Sequence, residues 1–430
     1  MAREPRTSPI VPSYGESSLA DLSASVLASL TRDPSANVLG LPETASACLL
    51  IIDGLGYELL RAHQAAAPFL AELAFNSRPL TAGFPATTVT SLASLGTGLP
   101  PAEHGMLGYQ VAVPGQERLL NGLHWPKDIV PEIWQAAPTV FERARAAGIT
   151  PVHVSPAAYE KSGLTRAALR GAEYRGADSL GALAALTGDA LAESERALVV
   201  AYHGDLDSNG HRYGVASAAW VNQLSHVDKL AEQIAGNLPS DSAMYVTADH
   251  GMVNVGPDDR IDVDSADSPL REGVALLGGE PRARHVYARP GAADDVLATW
   301  REVLGERAWV ASRAEAIKDG WFGPPGVAVS DAIAGRIGDV VAACTGNWAL
   351  VATRAEPLES SLVGMHGSLT QVEQLVPMLT PAWLSRISRR GRSTATRPRR
   401  QRSAPRPAAR WRRASSRRPL GAGGDQGGAA

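Results

Sequence analysis

Cysteine is nearly absent: Cys48 and Cys344 are the only two in 430 residues. Two thiols so far apart cannot build a disulfide framework or a thiolate zinc cluster. Each lies in or beside an apolar run (ACLLIID and VVAACTG), so both are expected as buried hydrophobes. Long apolar runs are also missing, and none approaches the ~20 residues needed to span a bilayer. The opening MAREPRTSPIVPSYGESS lacks the basic, apolar, small-residue order of a secretory signal. P-loop, CxxC and GxSxG segments and internal repeats are absent too. These gaps lead to the expectation of a cytoplasmic protein without a membrane span.

What is present is an ordinary globular composition, with 44% hydrophobic and 20% charged residues. The length exceeds one small module and calls for two or three units, or one large domain with an insertion. The net charge of −3 hides an asymmetry. From Arg386 onward there are 14 arginines, no lysine and one acid, Asp425, a net of +13. The preceding 385 residues hold the other 27 bases and 43 acids, a net of −16. Nucleic-acid binding by this acidic body is disfavoured. The arginine-rich tail reads as a solvated extension, with salt-sensitive attraction to nucleic acid or an anionic surface as the alternative.

Residues 1–45 read as a polar lead-in with one short amphipathic helix at LADLSASVLASL. Residues 46–380 form the candidate catalytic domain, and 381–430 an Arg/Pro/Gly-rich tail without apolar periodicity. Continuous apolar runs at ACLLIID, ALVVAYHGD and SAMYVTADH, with a weaker one at ITPVHVS, predict strands buried on both faces of a parallel sheet. Helical patterns alternate with them at YELLRAHQAAAPFLAEL, TVFERARAAG, SLGALAALTGDALAESE and AAWVNQLSHVDKLAEQIA. The expected fold is α/β: a doubly wound, mostly parallel central sheet flanked by helices. From about 262 to 350, shorter strands around two helices suggest a smaller inserted α+β lobe. Ligands of such sheets bind beyond the carboxyl ends of the strands.

Five segments could carry chemistry. Asp53 ends LLIID, where a turn or helix cap is the plain alternative. Thr87 and Thr88 precede a small-residue helical run, where backbone N–H groups favour negative charge. Asp207 and His211 share DSNGH at i, i+4 spacing, and oxygen plus nitrogen without thiolate suits zinc, manganese or a similar cation. His203 and Asp205 lie close enough to orient those ligands. Asp249-His250 follows MYVTA directly, and His366 stands between glycines in GMHGS. Singly each has a structural explanation. Together they supply three carboxylates, three imidazoles and a hydroxyl, enough for two adjacent divalent ions clamping an in-line phosphoryl displacement.

In this order, Asp, Thr, DxxGH, DHG and HG, the chain resembles the alkaline phosphatase superfamily, and within it the nucleotide pyrophosphatase/phosphodiesterase branch, over roughly residues 45–380. That branch places its nucleophilic threonine nine residues before the threonine of a TGL-x-P-x-x-HG segment. Counting back from Thr97-Gly98-Leu99, with Pro101 and His104-Gly105 following, gives Thr88. The resemblance implies one metal held by Asp207, His211 and His366. It implies a second held by Asp53, Asp249 and His250, with Thr88 reaching it. His104 is a motif histidine without a ligand role. Where the branch carries Phe-Pro-Asn after its nucleophile, Val89-Thr90-Ser91 stands here, putting Ser91 where an asparagine would bind a phosphate oxygen.

The implied activity is hydrolysis of phosphate esters or anhydrides, on a small-molecule ester or nucleotide, through a phosphothreonine. Two divalent ions serve as cofactors: zinc first, with manganese or magnesium as alternatives. A phosphotransferase on the same site, a phosphomonoesterase and a non-catalytic phosphate-binding relative are the competing readings. Between Gly108 and Glu132, Tyr109, Trp125 and Lys127 are candidates for the leaving-group side, an aromatic to stack and a cation for phosphate.

Overall fold

The computed structural model describes residues 8–381, so the expectations for the arginine-rich tail lie outside the described residues. Five strands build the central sheet: β1 (Ser46–Ile52), β2 (Thr150–Ser155), β3 (Glu173–Gly176), β4 (Ala197–His203) and β5 (Ser242–Thr247). Their order is β3-β2-β4-β1-β5 and every pairing is parallel. All seven residues of β1 and of β4 are buried, the pattern of strands covered on both faces. The sheet predicted from the apolar runs is therefore present, with β1 between β4 and β5. That order brings three strand ends side by side.

Helices α1 (Leu19–Thr31), α2 (Thr88–Thr97), α3 (Gly163–Ala168), α4 (Leu180–Ala192), α5 (Asp205–Tyr213) and α6 (Ala218–Gly236) flank it. The amphipathic stretch of the lead-in forms α1, started by a capping box in which the Ser18 N–H donates to Asp21 Oδ2 at 2.8 Å. α1 packs against α2 and is buried along nearly its whole length. The run YELLRAHQAAAPFLAEL does not form one helix. It breaks into Tyr57–Ala62 and Pro68–Ala74, because proline fits the first turn of a helix but not its interior.

The second sheet is antiparallel, with β6 (Val274–Glu280), β7 (Ala283–Ala288), β8 (Ala308–Ser312) and β9 (Val340–Cys344) in the order β6-β7-β9-β8. α7 (Ala293–Leu304) and α8 (Arg313–Lys318) accompany it, and Val286, Trp300, Leu304 and Val340 sit in a core of its own. Short strands Arg260–Asp262 and Ala349–Val351 pair beside it. Cys48 and Cys344 are both buried and free. No helix among the described residues is long and apolar enough to cross a membrane.

Candidate metal centre and nucleophile

Three adjacent strands deliver the acids. β1 leads into Asp53, β5 into Asp249, and β4 into α5, which carries Asp207. The Asp53 N–H still donates to the His203 carbonyl at 3.0 Å, prolonging the ladder by one residue. Beyond it Gly54 adopts φ +75°, and a Cβ there would stand 3.1 Å from the Cα of Asp207. Only glycine meets both demands at this turn.

Asp207 and His211 lie on a helix, not on a bent loop. Their i, i+4 spacing stacks them on one face, with His211 Nε2 3.2 Å from Asp207 Oδ2. Gly210 between them serves packing: a Cβ there would come within 2.4 Å of the Met252 sulfur. His203 and Asp205 do not orient this pair. His203 Nε2 faces Gln223 Nε2 at 2.8 Å and Asp205 Oδ2 at 3.8 Å.

Asp53, Asp249 and His250 present one ligand atom each, all within 4.8 Å of one another, and Asp207, His250 and His366 do the same. His250 thus belongs to both groups. His250 Nε2 lies 3.5 Å from Asp53 Oδ1 and 3.4 Å from Asp249 Oδ2, and His366 Nε2 lies 3.8 Å from Asp207 Oδ1. His211 reaches the cluster through Asp207.

Each imidazole has its other nitrogen on a backbone carbonyl: His211 Nδ1 on Gly364 at 2.8 Å, His250 Nδ1 on Gly251 at 3.0 Å and His366 Nδ1 on Ala86 at 3.0 Å. A carbonyl only accepts, so each Nδ1 donates and each Nε2 faces the carboxylates, where its lone pair is what a cation would take.

Thr88 opens α2, with Thr87 at the N-cap. Its Oγ1 lies 3.5 Å from Asp53 Oδ2 and 3.3 Å from His250 Nε2. Ser91, one turn on, is fully buried and its Oγ has no partner. His104 is buried against Ser94 Oγ at 3.0 Å and accepts the Met106 N–H at 3.0 Å, which makes it structural.

The electrostatics are those of an acidic cluster short of positive charge. Burial, then the neighbouring charges of Asp249 and Asp207, hold the Asp53 carboxyl well above the usual range. For Asp207, burial acts upward but His211, with His366 and His250, brings the carboxyl below its ordinary value. His211 gains what Asp207 gives: burial acts downward, yet the carboxylate raises it to about 9. His366 falls well below normal through burial and the proximity of His250.

Among the described residues, only histidines form ion pairs with these three aspartates. Asp53 Oδ1, Asp207 Oδ1 and Asp249 Oδ2 are buried without a hydrogen-bond partner. Unpaired buried carboxylate oxygens are costly, and oxygen and imidazole donors in two overlapping groups fit divalent cations.

Two further residues carried no sequence signal of their own. Tyr202, at the penultimate position of β4, is buried and donates its hydroxyl to Asp53 Oδ2. A buried tyrosine needs such a partner, which is the hint its position offered. Glu280, the last residue of β6, is buried beside Thr87, and burial pushes its carboxyl up to about 8.

The cluster adjoins a cavity of about 640 Å³, which the fully buried Asp249 and His250 do not themselves line. Asp53, Thr88, Asp207, His211, His366 and Tyr109 line it, while Ser91, Trp125 and Lys127 do not. Tyr109 donates to Glu359 Oε1 at 3.0 Å. Trp125 instead donates its indole N–H to the Ile129 carbonyl at 2.8 Å, and Lys127 is exposed.

Solved structures of similar fold include murine ectonucleotide pyrophosphatase/phosphodiesterase 5, both as an inactive variant in complex with AMP (17% identity, TM-score 0.62) and in a second structure (18%, 0.62). The human protein of the same name gives 17% and 0.58. Each alignment covers 78% of this chain and 87% of the other, and at such identities the likeness is one of fold. No curated protein matches the sequence. The family model described as type I phosphodiesterase / nucleotide pyrophosphatase matches residues 47–369, a span that takes in Asp53, Thr88, both histidine-bearing loops and α5. On that match, and with the fold that goes with it, the chain belongs to the type I phosphodiesterase/nucleotide pyrophosphatase family.

Proposed function

We propose that this chain hydrolyses phosphodiesters with Thr88 as nucleophile and two divalent cations, zinc first, as cofactors. Asp53, Asp249 and His250 would hold one cation, and Asp207, His211 and His366 the other, with His250 close to both. The observation that carries the reading is Thr88 itself: its hydroxyl stands at a helix N-terminus, 3.3 Å from His250 Nε2 and 3.5 Å from Asp53 Oδ2, on the wall of the cavity. When bound, the cations lower the hydroxyl pKa and neutralise charge on the phosphoryl oxygens.

The chain's own groups account for the rest. With His250 Nε2 given to a cation, Asp53 Oδ2 is the acceptor within reach of the Thr88 proton. The α2 N-terminus favours both the alkoxide and the phosphate that meets it. The Thr88 Oγ–P bond forms as the opposite P–O bond breaks, and the leaving oxygen departs with the electron pair and takes up the proton that Thr88 gave to Asp53. Threonine then carries the phosphoryl group with its remaining ester arm. Water attacks from the side the leaving group vacated, the P–Oγ bond breaks, and one proton returns to Thr88. Tyr202 keeps Asp53 in one orientation throughout by donating to Oδ2, which leaves Oδ1 for a cation.

The test is Thr88→Ala with metal content measured on the same protein. Loss of bis-p-nitrophenyl phosphate turnover with metal retained is expected, and full turnover would overturn the nucleophile. Comparison with p-nitrophenyl phosphate separates diesterase from monoesterase. Product analysis with an added alcohol separates water from another acceptor.

A further inference from the structure

The cavity reaches well past the reacting hydroxyl, and its character changes there. Val89 and Leu92 on one face of α2 meet Leu164 and Leu169 of the α3 region, so the inner wall is aliphatic. Of the polar groups beside that wall, His153 Nδ1 is buried without a partner, while Ser162 and Thr165 satisfy each other. Ser162 Oγ accepts the Thr165 N–H at 3.1 Å and bonds Thr165 Oγ1 at 3.0 Å, capping α3.

At the mouth Leu123, Tyr159 and Leu358 line the cavity while remaining exposed, Leu358 by 71%. Exposed Tyr213 and Val363 directly follow the lining residues Arg212 and Leu362 in sequence. Three of the nine exposed large apolar side chains among the described residues, Leu123, Tyr159 and Leu358, thus line one opening, a clustering that marks a binding surface. Among the described residues Arg212 is the one arginine or lysine that lines the cavity, and Glu359 adds a carboxylate.

From this distribution we propose that the substrate is a phosphodiester bearing an aliphatic arm and no second phosphate. The proposal rests on the phosphodiesterase reading above and narrows it. The reacting phosphate meets the aspartate–histidine cluster beside Thr88, and the arm runs between α2 and α3. A polyphosphate would find one arginine among the described lining residues, Arg212, to offset its charge. An aliphatic arm leaves water for the side chains of Val89, Leu92, Leu164 and Leu169.

The experiment uses metal-loaded enzyme and three p-nitrophenyl diesters: the methyl, octyl and thymidine 5′-phosphate esters, with the octyl ester below its aggregation threshold. Each buried methylene is worth about a fourfold gain, so kcat/KM for the octyl ester is expected to exceed that for the methyl ester at least about tenfold, and to exceed that for the thymidine ester. Leu164→Gln is expected to lower the octyl-to-methyl ratio. A flat methyl-to-octyl series, preference for the thymidine ester, or an unchanged ratio in Leu164→Gln overturns the proposal. Hydrolysis of the methyl ester without an octyl advantage leaves the Thr88 reading standing and removes this one, whereas no hydrolysis of any ester removes both.

Discussion

His250 and His366 stack face to face, their ring centroids 3.6 Å apart and their planes within 16° of parallel. Burial, then the proximity of His250, holds His366 well below its ordinary value, which leaves its Nε2 lone pair free. His250 also sits in both three-residue groups of ligand atoms. His250→Ala is therefore expected to leave less than one metal equivalent per chain by elemental analysis. His211 lies at the edge, and His211→Ala should keep at least one. Equal losses in the two variants would argue against a shared His250.

Tyr202→Phe removes the hydroxyl bond to Asp53 Oδ2 and little volume. Groups that orient a metal ligand in this way are worth about 10–100-fold in affinity or activity. The expected outcome is a kcat/KM drop of that size, or metal binding weakened by the same factor, with the unfolding midpoint nearly unchanged. Wild-type values in both measurements would leave Tyr202 a packing residue.

Arg282 and Glu373 are fully buried together, Nη2 2.5 Å from Oε2 and Nε 3.1 Å from Oε1. Glu373 also accepts the Ser368 N–H at 3.0 Å, and its carbonyl accepts the Gly251 N–H at 2.9 Å. One residue thereby ties the loop after His250 to the loop after His366. Glu373→Ala strands a buried guanidinium, and a loss of about 3–5 kcal/mol is expected in urea unfolding. A loss below about 1 kcal/mol would show that the clamp is dispensable.

Glu280 makes stability depend on pH. Burial raises its carboxyl to about 8, against a bond with Thr87 and the charge of Arg284 that pull it down. A carboxyl raised by folding contributes fully below its unfolded pKa of about 4.3 and loses that contribution as pH climbs to about 8, at up to about 1.4 kcal/mol per unit. Glu280→Gln cannot ionise. In EDTA-treated protein, the stability of wild type relative to Glu280→Gln should fall between pH 5 and 8. A pH-independent difference would count against a neutral Glu280.

The sequence carried the parallel sheet because strands buried on both faces are uniformly apolar, as β1 and β4 are. Their carboxyl ends mark themselves, since Asp53 and Asp249 interrupt such runs. Asp207 and His211 were recognisable as a pair, yet their helix was not, because DSNGH has poor helical propensity and owes its form to packing against Met252. The double position of His250 depends on how β1, β4 and β5 are ordered, which no local pattern encodes. Tyr202, Glu280 and the Arg282–Glu373 pair were illegible for the same reason: their partners are 149, 193 and 91 residues away in sequence. Trp125 and Lys127 looked suited to a substrate by residue type; neither lines the cavity, and the Trp125 indole N–H goes to the Ile129 carbonyl.

Asp53 closes the first strand of the sheet, whereas His366 arrives only after the whole antiparallel lobe has been laid down. Until that later loop has emerged, a growing polypeptide lacks one of the three residues, Asp207, His250 and His366, that meet in a single group.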